Sequence, residues 1–252
     1  YRELAAALEQ RVAERTADLQ EAYREARSFS YAVAHDLKAP LRAIDSFSHL
    51  LYDSRGANVT PAEQDYVRRL RRAAMRMASL IDGLLDYSRM EHREVHLGDL
   101  ELHGFVSELV AHRQEEITTR SVEVATAIPA ALSVRADREG LEVVLRNLLD
   151  NALKFTSTVP RARIEIGARR ERHSAVLWVK DNGIGFEQTY HDQIFEIFQR
   201  LHRTEEYEGT GIGLALARKA TKRMRGRIWA ESRLGSGATF FVELPLSYDL
   251  ER

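Results

Sequence analysis

Asn147, Asn151 and Lys154 stand at i, i+4 and i+7 within Leu145-Arg-Asn-Leu-Leu-Asp-Asn-Ala-Leu-Lys-Phe155. On a helix that spacing puts two amides and an ammonium on one face, with Leu145, Leu148, Leu149 and Ala152 opposite. Such a face could hold a hydrated Mg2+ and the phosphates it bridges, and a plain solvated face is the bland alternative. Two glycine clusters follow, Asp181-Asn-Gly-Ile-Gly185 and Gly209-Thr-Gly-Ile-Gly-Leu214. Glycines let backbone amides approach a phosphate, and a helix N-terminus adds partial positive charge. Gln188 and Leu214 occupy the third glycine position of a dinucleotide fingerprint, and no P-loop pattern occurs. Each cluster alone is more often an ordinary turn. His35-Asp-Leu-Lys-Ala-Pro40 is the third feature. Val33, Leu37, Leu41 and Ile44 form an apolar stripe there, and His35 lies off it, facing solvent beside an acid.

Composition narrows the field. The 252 residues carry 37 Lys+Arg against 38 Asp+Glu, a balance that disfavours a dedicated nucleic-acid binder. Zero cysteines exclude disulfides, thiolate metal sites and cysteine nucleophiles, and point to a reducing, cytoplasmic compartment. No apolar run of about 18 residues is present to span a membrane. The chain opens on Tyr1 without a signal-peptide pattern and is expected to be a piece of a longer one.

Two architectures must position these residues. Leu4, Leu8, Val12, Leu19, Tyr23 and Ala26 recur at three- and four-residue steps, a coiled-coil seam over 1–29. The helix continues through the His35 segment, kinked at Pro40. Thr60-Pro-Ala-Glu63 supplies an N-cap, a first-turn proline and a capping-box glutamate for a second helix. Its stripe runs through Tyr66, Leu70, Ala73, Met77, Leu80 or Ile81, Leu84, and Tyr87 or Ser88. Residues 30–93 thus form a helical hairpin too apolar to stay alone, and pairing two hairpins gives a dimeric four-helix bundle. From residue 97 to 252, alternating runs at 122–124, 164–166, 175–179, 227–230 and 239–244 read as strands, with Gly235-Ser-Gly237 as a hairpin turn. Helical stretches fall near 104–118, 138–154 and 211–225. The expected class is α+β, a helical hairpin followed by an α/β sandwich.

The order of these motifs, with Phe195-Glu-Ile-Phe198 before the last glycine cluster, resembles the transmitter module of two-component sensor histidine kinases over residues 20–246. His35-Asp-Leu-Lys-Ala-Pro-Leu-Arg42 and Phe195-Glu-Ile-Phe-Gln-Arg-Leu-His202 are similar to the phytochrome-associated branch, which implies light as the controlling signal. The resemblance implies an ATP-binding domain of the type shared with gyrase and heat-shock chaperones. It implies that His35 accepts the γ-phosphoryl group of ATP, with Asp36 as base or orienter. A free imidazole, of pKa near 6.5, is a competent nucleophile at neutral pH. Asn151 matches the family's Mg2+ ligand, and Asn147 and Lys154 its phosphate contacts. Asp181 matches the acceptor of the adenine amine, and Gly183 and Gly185 shape that pocket. Gly209, Gly211 and Gly213 flank the lid, Thr239 matches a supporting hydroxyl, and Arg200 or Arg203 reaches a phosphate. The partners implied are a response-regulator receiver domain, a second copy through residues 1–92, and an upstream sensor.

Ala39 departs from the family, which has Thr or Asn there to orient the water that dephosphorylates the regulator. A phosphatase-dominant module is the alternative reading, and decay of a prephosphorylated regulator separates the two. An ATP-driven conformational machine fits less well, because Asn147 stands where those ATPases carry a water-activating Glu. A non-catalytic scaffold is disfavoured by the intact nucleotide motifs. His92 and His96 are four apart, but no third metal ligand accompanies them. The Arg68, Arg69, Arg71, Arg72 and Arg76 run reads as a solvated face.

Overall fold

The computed structural model describes residues 37–38, 40–50, 60–201, 207 and 209–247. The expected coiled coil over 1–29, and His35, Asp36, Ala39 and Arg203, lie outside the described residues. The chain divides into two compact units, Tyr1–Ser88 and Arg89–Arg252.

In the first unit, residues 40–50 form helix α1 and Pro61–His92 begin as helix α2, whose last turn belongs to the second unit. The expected capping box is present. The Thr60 amide donates to Glu63 Oε2 at 2.9 Å and the Glu63 amide to Thr60 Oγ1 at 3.3 Å. The helices are tied by Arg71–Asp45 at 3.0 Å and by Lys38–Asp82. Leu41, Ser48, Ala74 and Leu85 are buried. The face of α2 turned inward is therefore 67/71/74/78/81/85, which shares Ile81 with the stripe expected from sequence and otherwise lies one residue from it. The first part of the expected stripe stays uncovered, with Tyr66 69% and Met77 45% exposed, whereas Leu80 and Leu84 are half-buried.

In the second unit, strands β1 (Gly98–Glu101) and β3 (Ser133–Ala136) pair antiparallel. The main sheet has the order β2-β4-β5-β7-β6, from Glu123–Ala127, Arg163–Arg170, Ser174–Asp181, Ala238–Pro245 and Arg227–Ser232. Only β2 and β4 run parallel in it. Helices α3 (Leu102–Ala111), α4 (Gln114–Thr119), α5 (Arg138–Phe155) and α6 (Gly213–Arg223) complete the unit. The single helix expected near 104–118 is broken at His112–Arg113.

One sheet face meets the helices. Ile164, Ile166, Leu177, Val179, Phe240, Val242 and Leu244 alternate inward, against Leu141, Leu145, Leu148 and Leu149 of α5 and Ala217 and Ala220 of α6, all buried. The other face carries a cross-strand row, in which Trp178 pairs with Phe241 and Phe241 with Trp229. The Trp229 and Phe241 rings stack at 5.1 Å. Trp178 lies flat over Gly167, leaving no room for a side chain there, and its indole N–H donates to Glu165 at 3.0 Å.

Candidate nucleotide site

Helix α5 carries one wall of the site. Asp137 caps its N-terminus, accepting from the Gly140 amide at 2.6 Å, and buried leucines hold the opposite face against the sheet. Asn147, Asn151 and Lys154 are left half-exposed along one line, as the i, i+4, i+7 spacing requires. Asn147 Nδ2 donates to the Val143 carbonyl at 2.7 Å, so its Oδ1 points away from its own helix, toward Gly213.

The loop after β5 meets the C-terminal end of α5. The Ile184 amide donates to Phe155 O at 3.3 Å, and a Cβ on Gly183 would sit 2.5 Å from that oxygen. Gly185 has φ +61°, a left-handed conformation that glycine adopts without strain. Asp181, 6% exposed, accepts from the Gly183 amide at 2.8 Å. Burial pushes its carboxyl up to about 6, against the Gly183 and Ala238 backbone hydrogen bonds that favour the ionised form. It is thus an acceptor at neutral pH, suited to an exocyclic amine.

The glycine cluster 209–213 opens α6. The Phe198 amide donates to Gly211 O at 2.9 Å, with Gly211 at φ +74°. Phe195 is buried edge-on to Phe240 at 6.4 Å, whereas Phe198 is 55% exposed at φ +66°. Arg200 Nη2 donates to Tyr207 O at 2.7 Å. The Tyr207 ring leans on Phe155 at 5.3 Å, and its hydroxyl lies 3.1 Å from Thr158 Oγ1.

Lys154 is drawn into this corner. A Cβ on Gly209 would lie 3.1 Å from its Nζ, and the Nζ sits 4.2 Å from the Phe155 ring centroid. Burial, then the Arg200 charge, pull its ammonium down to about 8. Two cations facing one space with a depressed ammonium pKa make an electropositive corner fitted to a polyanion. A cavity of about 430 Å³ opens beside Lys154, also lined by Arg113, Asp150 and Tyr207.

Asn147, Asn151, Lys154, Asp181, Gly183, Gly185, Arg200, Gly209, Gly211 and Gly213 thus stand on elements that converge. Thr239 is a correction. Asp181 is in register with Ala238, and Thr239, one residue on, pairs with Lys180 and Glu231 on the opposite sheet face. Strand side chains alternate, so a one-residue offset removes the hydroxyl from the site. Sequence reasoning missed Tyr207, whose only signal is an aromatic just before the glycine cluster. It also missed Asp137, an Asp directly ahead of an apolar-periodic run.

Comparison with known proteins identifies the domains. Residues 25–93 match the His Kinase A (phospho-acceptor) domain, and residues 136–248 match the histidine kinase-, DNA gyrase B- and HSP90-like ATPase domain. The chain belongs to the sensor histidine kinases, as a transmitter module. It is 33% identical to Cyanobacterial phytochrome A of Nostoc sp., over 91% of this chain and 30% of that protein. It is 32% identical to Phytochrome-like protein Cph1 of Synechocystis sp., over 87% of this chain and 29% of that one. The chain therefore spans about a third of the length of these relatives. Full-length ShkA in complex with AMPPNP shares the fold at TM-score 0.65 and 24% identity, over 87% of this chain and 46% of that one. Histidine kinase ThkA in complex with response regulator protein TrrA does so at 0.63 and 22%, over 87% and 61%. Among the described residues no helix is long and apolar enough to cross a membrane.

Proposed function

We propose that this chain moves the γ-phosphoryl group of ATP onto His35 and from there to an aspartate of a response-regulator receiver domain. The observation that carries the reading is the convergence of the Asn147–Asn151–Lys154 face with Arg200 on one side and Asp181 on the other. That spacing of cations, amides and one buried carboxylate suits a triphosphate at one end and adenine at the other. Asn151 offers a hard oxygen to Mg2+, whose remaining coordination the phosphates and water would supply. The amide of Asn147 and the ammonium of Lys154 would take phosphate oxygens, with the backbone of 209–213 beside them. Arg200 fits the same anion. Asp181 would accept the adenine amine, which guanine lacks.

In the transfer, the lone pair of an unprotonated His35 ring nitrogen forms the N–P bond while the β–γ bridging P–O bond breaks and its electrons leave with ADP. Asp36 would hold the proton on the other ring nitrogen and offset the charge that develops there. The regulator's aspartate then attacks the phosphoryl group and frees the imidazole.

The uncovered stripe Tyr66, Leu70, Ala73 and Met77 supports a homodimer through residues 1–92. The module would act in the cytoplasm, downstream of a sensor that reaches it through residues 1–29, and the phytochrome relatives support light as the signal. Incubation with labelled ATP and Mg2+ should give an acid-labile, base-stable phosphoprotein that His35→Ala abolishes. A chain that takes no label, or a His35→Ala variant that still does, overturns the reading.

A further inference from the structure

Residues 182–187 leave β5 beside Asp181 and turn their backbone hydrogen bonds outward, toward the hairpin made by β6 and β7. The Ile184 carbonyl accepts from the Gly235 amide at 2.7 Å, in the turn of that hairpin. The Phe186 amide donates to Ser232 Oγ at 2.8 Å, and the same hydroxyl donates to the Gly237 carbonyl at 2.9 Å. Ser232 thus spends its one proton and a lone pair on two segments at once. Gln188 closes the clamp from the other side. Its Nε2 donates to Ala230 O at 3.1 Å, and its Oε1 accepts from the Ser232 amide at 2.7 Å. β6 ends the sheet, so this carboxamide covers edge groups that none of the other four strands reaches. The Phe186 ring is buried 6.3 Å from that of Phe240, and a Cβ on Gly185 would run into Arg233 O. The loop therefore lies tight against the hairpin.

We propose that Ser232 and Gln188 are positioning residues for base selection: they fasten loop 182–187 to the β6–β7 hairpin and so fix the gap between the loop and the Asp181 carboxylate. This rests on the ATP reading above. Guanine presents a carbonyl where adenine presents its amine, so a carboxylate in a stiff pocket rejects it by leaving two acceptors face to face. A loop that yields lets the base shift and blunts that rejection. The Ile184 bonds to Phe155 O and from Gly235 N are backbone to backbone and do not depend on side-chain identity. The Phe186 bond and the β6 edge bonds are made by side chains, which is where the sequence sets the stiffness. Neither residue belongs to the Asn147–Asn151–Lys154 face, so the effect is on which base is held and not on transfer of the phosphoryl group.

The test uses the full chain with Ser232→Ala, Ser232→Thr and Gln188→Met, the last of similar length but without an amide. Three readouts are taken: amide hydrogen exchange over 183–187 without nucleotide, affinity for AMPPNP and GMPPNP with Mg2+, and the autophosphorylation rate at saturating ATP. In Ser232→Ala and Gln188→Met exchange should rise, and AMPPNP affinity should fall by about threefold to tenfold, the equivalent of one hydrogen bond. GMPPNP should lose less, and the saturating rate should stay within about twofold. Ser232→Thr, which keeps the hydroxyl, should match wild type. Unchanged exchange, unchanged AMPPNP affinity, equal losses for the two nucleotides, a saturating rate that falls in step, or a Thr variant no better than Ala overturns the proposal. So does a wild type that holds GMPPNP as tightly as AMPPNP. Gln188 is exposed, so its variant carries the test even where Ser232→Ala does not fold. Wild-type labelling is the separate control on the kinase reading, and the exchange and affinity arms decide the proposal without it.

Discussion

Gly213 presses against the Asn147 carboxamide: a Cβ built on it would run into Oδ1, and Nδ2 is already committed to Val143 O at 2.7 Å. The start of α6 is thereby held against the middle of α5. Gly213→Ala must displace the amide, and we expect ATP affinity to fall by about tenfold, one lost hydrogen-bonding group's worth, with the melting temperature little changed. At Gly209 the neighbour is the flexible tip of Lys154 at 3.1 Å, so Gly209→Ala should cost far less. Calorimetry on both variants checks the contrast, which fails if the two are equal.

ATP binding should have two pH limits. Below about 6 Asp181 takes up a proton and ceases to be an acceptor, and above about 8 Lys154 loses its charge. Bound phosphate favours the ammonium, so binding near pH 9 should take up a proton, seen as a buffer-dependent enthalpy. The stability terms follow from the same shifts. Native Asp181 keeps a proton between 3.8 and about 6 that the unfolded chain has released, so its contribution falls as pH rises there. Native Lys154 binds fewer protons than the unfolded chain between about 8 and 10.5, so its contribution rises with pH there. Asp181→Asn should remove the acid limb, and a surviving limb would assign it elsewhere.

Asp137 joins an N-cap to a buried ion pair. Burial opposes its ionisation, but the Gly140 and His96 amides and Arg93 together hold its carboxyl below the usual range. Asp137→Ala should cost about 2–4 kcal/mol, combining a lost cap with an orphaned guanidinium. Its stabilisation is present above the unfolded value of 3.8 and is lost as pH falls below it. Urea unfolding of wild type and variant at pH 7 and pH 3 would show the gap closing in acid.

On α2, replacing Tyr66 and Met77 by Glu puts charge on the uncovered stripe while leaving Ala74 and Leu85 inside. The expected result is a folded monomer by sedimentation, and a dimer of unchanged affinity would place the interface elsewhere.

Ala39→Thr should add a hydroxyl where the family orients water. Decay of a phosphorylated regulator in the presence of the variant should quicken relative to wild type, and equal decay would assign that task to another side chain.

Where periodicity was strong, the sequence was enough to read the structure. The capping box at Thr60 and the Asn147–Lys154 face both came from spacing, because a helix converts spacing directly into a shared surface. The long strands were legible for the same reason. Short β1 and β3 were not, since four residues carry little alternation and their pairing joins Gly98 to Ala136 across 38 positions. Thr239 failed by one residue because a strand reverses its face at each step, so a motif match that slips once loses the site. The Arg93–Asp137 pair had no local signal, as its members come together only through the fold.

Both tryptophans, Trp178 and Trp229, stand on the sheet face turned away from α5 and α6, and none precedes Arg89. Indole emission therefore follows the melting of the sheet and is blind to the helical hairpin, whereas far-ultraviolet dichroism weighs both. Superimposing the two curves would reveal whether the units come apart together or one at a time, without any label being attached.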